Sequence, residues 1–202
     1  MRYNIFQYVF KKAWWCIPTQ GKEVFLTFDD GPHPEITPWI LELLKQHKAK
    51  ASFFVIGKNT KKHPEIIDAI VSAGHVLGYH TYNHLNGWQS SLEQYLSNVE
   101  HNTSCKSGGF FRPPYGKLSW KQYQYLSARY QLVMWSVLSK DYNINYTAEQ
   151  CYRRVISRLK PGDIIVFHDS EKAWPRLKEC LPMVLETLHK KGYRCSALPE
   201  PN

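Results

Sequence analysis

From Glu23 onward the chain alternates short β-branched and aromatic runs with longer stretches of helical period, and this alternation restricts the fold more than any other feature. Val24–Phe28, Ala51–Gly57, His75–His80, Phe110–Arg112, Leu132–Val137, Asp163–His168 and Tyr193–Leu198 read as strands. Between them, Pro34–His47, Pro64–Ala73, Ser91–Ser104, Ser119–Tyr130, Thr147–Leu159 and Pro175–Lys191 read as helices. In the first helix Ile36, Ile40, Leu43 and Leu44 share a face. Pro64 opens the second and Gly74 closes it, Ser90 or Ser91 and Thr147 are placed to cap later ones, and Pro182 should break or kink the last.

A strand that returns through a helix to the next strand pairs with it in parallel, and the helices then cover the sheet. About seven such units fit a β/α barrel or a closely related open form, and 202 residues are few for a regular eight-unit barrel. With no internal repeat, low-complexity segment or linker, the chain is expected to be a single α/β domain over residues 23–198. Residues 1–22 form an N-terminal extension expected to pack on that domain.

Composition excludes several other functions. The net charge of +9 comes from scattered pairs such as Lys11-Lys12, Lys61-Lys62 and Lys190-Lys191, without a basic stripe, a helix-turn-helix or zinc-finger spacing. A solvated basic face, or attraction to an anionic polymer or cell envelope, is expected rather than nucleic-acid binding. The five cysteines, Cys16, Cys105, Cys151, Cys180 and Cys195, are widely spaced and odd in number, which suits reduced thiols. No run approaches the ~20 apolar residues of a spanning helix. The N-terminus lacks an h-region and a small-residue cleavage site, so no signal peptide is expected and location stays open between cytoplasm and envelope. Ile5-Phe6 through Trp14-Trp15 can dock on the domain or lie weakly at a membrane interface.

The polar residues of interest fall at predicted strand ends, which in a β/α barrel converge on one mouth. Asp29 and Asp30 are adjacent on extended backbone, so one carboxylate can bind a metal while the other takes a proton. Alone, Asp29-Asp30-Gly31-Pro32 is equally a turn with capping carboxylates. His80 and His84 face the same way if the segment between them makes one helical turn. With Asp30 they make a two-His-one-Asp set of the composition found at catalytic metals, although such a pair can also be a surface or capping feature. Arg112, before the rigid Pro113-Pro114, can aim a carboxylate, and the Tyr115 N–H can face an oxyanion; the same segment is otherwise a rigid loop with a surface arginine. His168, leaving a buried strand, can be a general acid or a core-edge histidine satisfied by a carbonyl.

Together these segments resemble the polysaccharide deacetylase family, also called the NodB-homology or carbohydrate esterase family 4 group. The resemblance spans about Glu23 to Leu198 and rests on Thr27–Pro32, on His80-Thr81-Tyr82-Asn83-His84, on Arg112-Pro113-Pro114-Tyr115 and on the strand ending at His168, where Val166 stands for the usual leucine. The family's Asp-x-x-Asp-Trp is here Leu138-Ser139-Lys140-Asp141-Tyr142, so its first aspartate is lost and its tryptophan is tyrosine. The resemblance implies a deformed (β/α)7 barrel. It implies that Asp30, His80 and His84 hold Zn2+ or another divalent transition metal, and that Asp29 is the general base, oriented by Arg112. It further implies Tyr115 as oxyanion donor, His168 as general acid and Asp141 as the residue that tunes it. Pro114, Tyr115, Trp135 and Tyr142 are the expected substrate contacts.

The implied activity is hydrolysis of N-acetyl groups on an N-acetylglucosamine-containing glycan of chitooligosaccharide or peptidoglycan type. The alternatives are O-acetyl esterase action on a polysaccharide such as xylan and a catalytically silent carbohydrate-binding module. A monomer is expected.

Overall fold

In the computed structural model, which describes residues 5–101 and 109–201, every hydrogen-bonded strand pair is parallel. The strands are β1 (Glu23–Asp29), β2 (Ser52–Val55), β3 (Val76–Tyr79), β4 (Phe110–Phe111), β5 (Gln131–Leu132), β6 (Val137–Leu138), β7 (Ile164–His168) and β8 (Arg194–Ser196). The helices are α1 (Ile5–Val9), α2 (Ile36–Gln46), α3 (Gly57–Lys62), α4 (Pro64–Ser72), α5 (Leu92–Glu100), α6 (Trp120–Ser127), α7 (Ala148–Ile156) and α8 (Trp174–Lys190).

The sheet runs β5-β4-β3-β2-β1-β7-β6, and β8 pairs with the first half of β1. Strands β5 and β6 stand at opposite ends of this order, yet only residues 133–136 join them. A chain rises at most ~3.3–3.6 Å per residue, so the sheet must curl until its edges nearly meet. This is the curled half-barrel of a single α/β domain, consistent with the expected deformed barrel. It also corrects the reading of Leu132–Val137 as one strand. The segment leaves β5 after Leu132, and Ser136 N reaches across to Ile164 O at 3.1 Å before β6 begins. Apolar content over six residues gives no sign of such a crossing.

Alternation along the strands sorts the two faces. Val24, Leu26 and Phe28 of β1, and Ile165 and Phe167 of β7, pack in one cluster with α2 and α8. Phe25, Phe54, Phe110, Val133 and Ile164 form a second cluster within the curl. Helices α5, α6 and α7 begin where a polar residue can bond the first free N–H groups: Ser91, Ser119 and Thr147 each form a capping box with a glutamine three residues on. Helix α8 continues through Pro182 without the break expected there. Helix α3, too short and polar for a periodic signal, was not expected.

Ahead of β1, Trp14 bridges Val133 and Cys16 bridges Asp163, so this stretch runs along the open edge of β5 and across to the start of β7. The side chains of Ile5 and Phe6, the predicted end of the third helix at Ser104, and Cys105 lie outside the described residues. Cys16, Cys151, Cys180 and Cys195 are free. Among the described residues no helix is long and apolar enough to cross a membrane.

Candidate metal centre and its surroundings

Strand β1 delivers the two aspartates in different directions. Thr27 and Asp29 follow Phe25 on the inner face, and Asp30 leaves the strand with φ 87°. Few L-residues hold such a backbone without support. Here Asn59 Nδ2 donates to Asp30 O (2.8 Å), Ile56 N to Gly31 O (2.8 Å) and Gly31 N to Asp169 Oδ1 (2.9 Å). Asp169 N in turn donates to Asp29 O at 3.0 Å. Only glycine fits at position 31, because a Cβ there would lie 1.9 Å from Asp169 Oδ2. Burial and the Asp30 charge push the Asp169 carboxyl up to about 8, against the hydrogen bonds from Thr37 and Gly31.

His80 and His84 meet without the helical turn expected between them. Thr81 and His84 have φ of 63° and 58°, and the segment is a loop. It is pinned from both sides. Gly57 N and Lys58 N, at the start of α3, donate to Thr81 O and Tyr82 O, each at 3.0 Å. Asn98 Oδ1 on α5 accepts from Tyr82 N and Asn83 N at 3.0 and 3.1 Å. His80 Nδ1 lies 2.8 Å from Arg112 O; as a donor to that carbonyl it leaves Nε2 with a free lone pair. Burial lowers His80 to about 4, so the ring is neutral at ordinary pH.

Asp30 Oδ1 lies 3.2 Å from His84 Nε2 and 3.8 Å from His80 Nε2. It is buried and has no hydrogen-bond partner of acceptable angle. One donor atom from each of the three residues falls within 4.8 Å of the others. Bonds of ~2.0–2.1 Å at tetrahedral angles would put zinc ligands roughly 3.3 Å apart, close to the two distances from Asp30 Oδ1. Burial alone raises the Asp30 carboxyl, but the His84 ring and the charges of His168 and His80 outweigh it and hold the group below the ordinary carboxylate range. The orphaned Asp30 oxygen and the two imidazoles make a donor set that fits a divalent cation, which would satisfy that oxygen.

Arg112 is not a surface residue. It is fully buried, with Nη1 2.6 Å from Asp29 Oδ1 and 2.7 Å from Thr27 Oγ1, Nε 3.2 Å from Val133 O and Nη2 3.0 Å from Met134 O. Its Cζ stands 4.0 Å over the Phe54 ring. After it, Pro114–Gly116 make one tight turn with Tyr115 at φ 60°. Gly116 N and Lys117 N close that turn on Pro113 O and Pro114 O, so the Tyr115 N–H takes no part in its bonds. The exposed Tyr115 ring lies 4.8 Å from the His84 ring, and Pro114 is buried beneath.

On the other flank His168 is the register partner of Asp29 across β1 and β7. Its Nδ1 lies 2.7 Å from Asp141 Oδ1, and its backbone N donates to Asp141 Oδ2 at 2.8 Å. Burial lowers the imidazole, yet the charge and hydrogen bond of Asp141, with Asp30 and Asp29, push it up to about 9. Asp141 is itself fully buried and held by Ser139 Oγ (2.9 Å) and Tyr142 N (3.0 Å). The Tyr142 ring meets His168 edge-on at 4.8 Å. Trp135 stands apart from this flank, against Tyr115 and Gly116. Sequence reasoning missed Thr27, Asn98, Ser139 and Asp169; Thr27 and Ser139 lie inside segments it had singled out and Asp169 directly follows one, whereas nothing local marks Asn98.

The model of the family described as "Polysaccharide deacetylase" matches residues 17–133, more than half of the chain. The chain belongs to the polysaccharide deacetylase family. Among its relatives in that family, a "Peptidoglycan-N-acetylglucosamine deacetylase" of Bacillus cereus is 34% identical over 92% of this chain and 91% of its own length. A "Chitooligosaccharide deacetylase" of Azorhizobium caulinodans is 33% identical over 76% of each. The crystal structure of a peptidoglycan N-acetylglucosamine deacetylase, in complex with an N-oxidanyl-benzamide, superposes with a TM-score of 0.86 at 32% identity, covering 98% of this chain and 96% of that one.

Proposed function

We propose that this polysaccharide deacetylase family member removes N-acetyl groups from an N-acetylglucosamine-containing glycan and releases acetate. The observation that supports the reading is the metal-type triad beside two side chains backed by buried charges, Asp29 by Arg112 and His168 by Asp141. Zn2+ or another divalent transition metal on Asp30, His80 and His84 would lower the pKa of a water and polarise the acetamide carbonyl.

The chain's own residues do the rest. Asp29 takes a proton from the attacking water, and the Arg112 guanidinium holds the carboxylate aimed through its hydrogen bond. The Tyr115 N–H donates to the oxygen on which charge develops as the carbonyl carbon becomes tetrahedral. Breaking the C–N bond requires a proton on nitrogen, because an amide anion is a poor leaving group. His168 supplies that proton, and Asp141 keeps it available. Tyr115 and Tyr142 wall the two sides for a sugar ring.

Acetate release from N-acetylglucosamine oligomers and from acetylated xylan, with metal restored after chelation, tests the reaction and separates amide from ester. Asp29→Asn should abolish release while leaving the metal bound. Turnover by that variant at the unmodified rate would sink the assignment, and release from xylan alone would favour the esterase alternative.

A further inference from the structure

Asp169 follows the proposed acid His168 by one residue and is buried, yet no step of the proposed reaction uses it. Its backbone N–H extends the β1–β7 pairing one step past the Asp29–His168 pair, donating to Asp29 O at 3.0 Å. Its side chain then reaches the turn that follows β1. Oδ1 accepts from Gly31 N at 2.9 Å, and Oδ2 accepts from Thr37 Oγ1 at 2.6 Å. The same Thr37 hydroxyl, buried in the first turn of α2, accepts from His33 N at 2.8 Å. One residue therefore ties down Asp29, Gly31 and, through Thr37, His33, and Asp30 lies between these points. The missing side chain at Gly31 is what admits the carboxyl, since a Cβ there would come within 2.7 Å of all three of its atoms. Asp169 itself is not among the residues whose donor atoms converge on the metal-type site.

We infer that Asp169 is a positioning residue: its carboxyl holds the Asp30 turn in the one backbone conformation that brings Asp30 Oδ1 to His80 and His84. The inference rests on the metal reading of Asp30, His80 and His84 and adds to it the residue that sets their spacing. Asp30 is held at φ 87°, which an L-residue keeps only under outside restraint. Asn59 also bonds this turn, but it is half-buried, and water can replace it. The bond from Gly31 N to Asp169 is buried, so its loss leaves an N–H with no partner and favours another conformation of the turn. Metal affinity then falls in proportion to the share of molecules that still hold the triad together. The role belongs to shape rather than charge. Asparagine has the same outline, a carbonyl for Gly31 N and an NH2 that can donate to Thr37 Oγ1, whose second lone pair still accepts from His33 N.

Metal binding decides the matter without turnover. Zn2+ affinity is measured by competition with a chromophoric chelator for the unmodified protein, Asp169→Asn, Asp169→Ala and His84→Ala, at a temperature where circular dichroism shows each folded. Asp169→Ala should bind zinc roughly 10–100-fold more weakly, and Asp169→Asn should stay within about threefold of the unmodified protein. Unchanged affinity in Asp169→Ala would overturn the inference, because the carboxyl would then serve the fold alone. Equal weakening by alanine and asparagine would overturn it too, because charge rather than position would be acting. If Asp169→Ala does not fold, Thr37→Val decides: it removes only the hydroxyl that steadies Oδ2 and His33 N, and should weaken zinc by at least about threefold, whereas unchanged affinity would overturn the inference. His84→Ala separates the two readings. Zinc held as tightly by that variant as by the unmodified protein would overturn the metal reading and this inference with it, while a loss there beside unchanged affinity in Asp169→Ala would overturn this inference alone.

Discussion

Replacing Asp141 with asparagine removes the charge that most raises the His168 imidazole. Burial, the largest single influence, acts to lower this histidine, and Asp141 heads the influences that bring it to about 9. Without Asp141 the imidazole should fall toward its ordinary 6.5, a drop of about 2.5 units from the value of about 9. At ~1.36 kcal/mol per unit that is about 3 kcal/mol less preference for the protonated ring. At pH 7.5 the share of protonated His168 then drops about tenfold, and with the lost alignment acetate release should fall by roughly 10²–10⁴. The amide also meets a geometric conflict. One carboxylate oxygen accepts from His168 N and the other from His168 Nδ1, Ser139 and Tyr142, so the NH2 group of asparagine must face a donor on either side. The sign of the stability effect follows from linkage. A raised folded-state pKa contributes stability that is full below pH ~6.5 and is lost as pH rises through about 9. Unmodified metal-free protein should lose that contribution between these limits, and Asp141→Asn should lack it. The assay is an NMR titration of the His168 ring in chelated protein, paired with urea unfolding at pH 6 and pH 9.5. A His168 pKa that moves by less than about one unit in Asp141→Asn would refute the reasoning.

Gly31→Ala should destabilise the protein by at least ~1–3 kcal/mol, because its Cβ would collide with Asp169. Asp169→Ala in the same chain should return part of that loss, which chemical unfolding of the single and double variants would show as non-additivity. Buried His75 accepts the Ala51 N–H through Nδ1 at 3.1 Å, and burial lowers it to about 4. The unfolded chain then binds the proton first, so stability should decline as pH falls from ~6.5 toward about 4, and His75→Gln should flatten that limb. A divalent metal at a hundredfold excess over its Kd should add ~2.7 kcal/mol, a rise of roughly 5–10 °C in Tm. Calorimetry of His84→Ala should show no such rise.

The residues that sequence reading could find were those whose chemistry is local. The β1 segment shows its strand by alternation and its carboxylates by their place at the strand end. The caps at Ser91 and Thr147 are readable because side chain and target lie three residues apart. What stayed hidden depends on distant partners. In sequence Arg112 reads either as a residue that aims a carboxylate or as a surface arginine, and only the curl of the sheet shows Thr27 and two carbonyls joining Asp29 around its guanidinium. Asn98 holds the His80–His84 loop from another helix, and no spacing announces it. The loop itself misled the reading, because an i, i+4 pair suggests a helical turn and left-handed residues achieve the same convergence. The split of Leu132–Val137 into strands at opposite sheet edges was invisible for the same reason.

The pairing of β1 with β7 gives the proposed reaction its economy of motion. Asp29 and His168 are register partners on neighbouring strands, so the group that gains a proton and the group that loses one are fixed side by side. Each is held by a buried partner of opposite charge, Arg112 beside Asp29 and Asp141 beside His168. After one proposed turnover the proton stands on Asp29 and His168 is neutral beside the Asp141 carboxylate, which favours the imidazolium. The Asp141 charge therefore draws a proton back to His168 across the strand pair. If that is how the site resets, Arg112→Lys, which cannot reproduce four directed hydrogen bonds, should slow the reset as well as the attack. Solvent deuterium should then slow steady-state turnover of that variant more than it slows the first turnover, whereas equal effects on both would show that the arginine serves the attack alone.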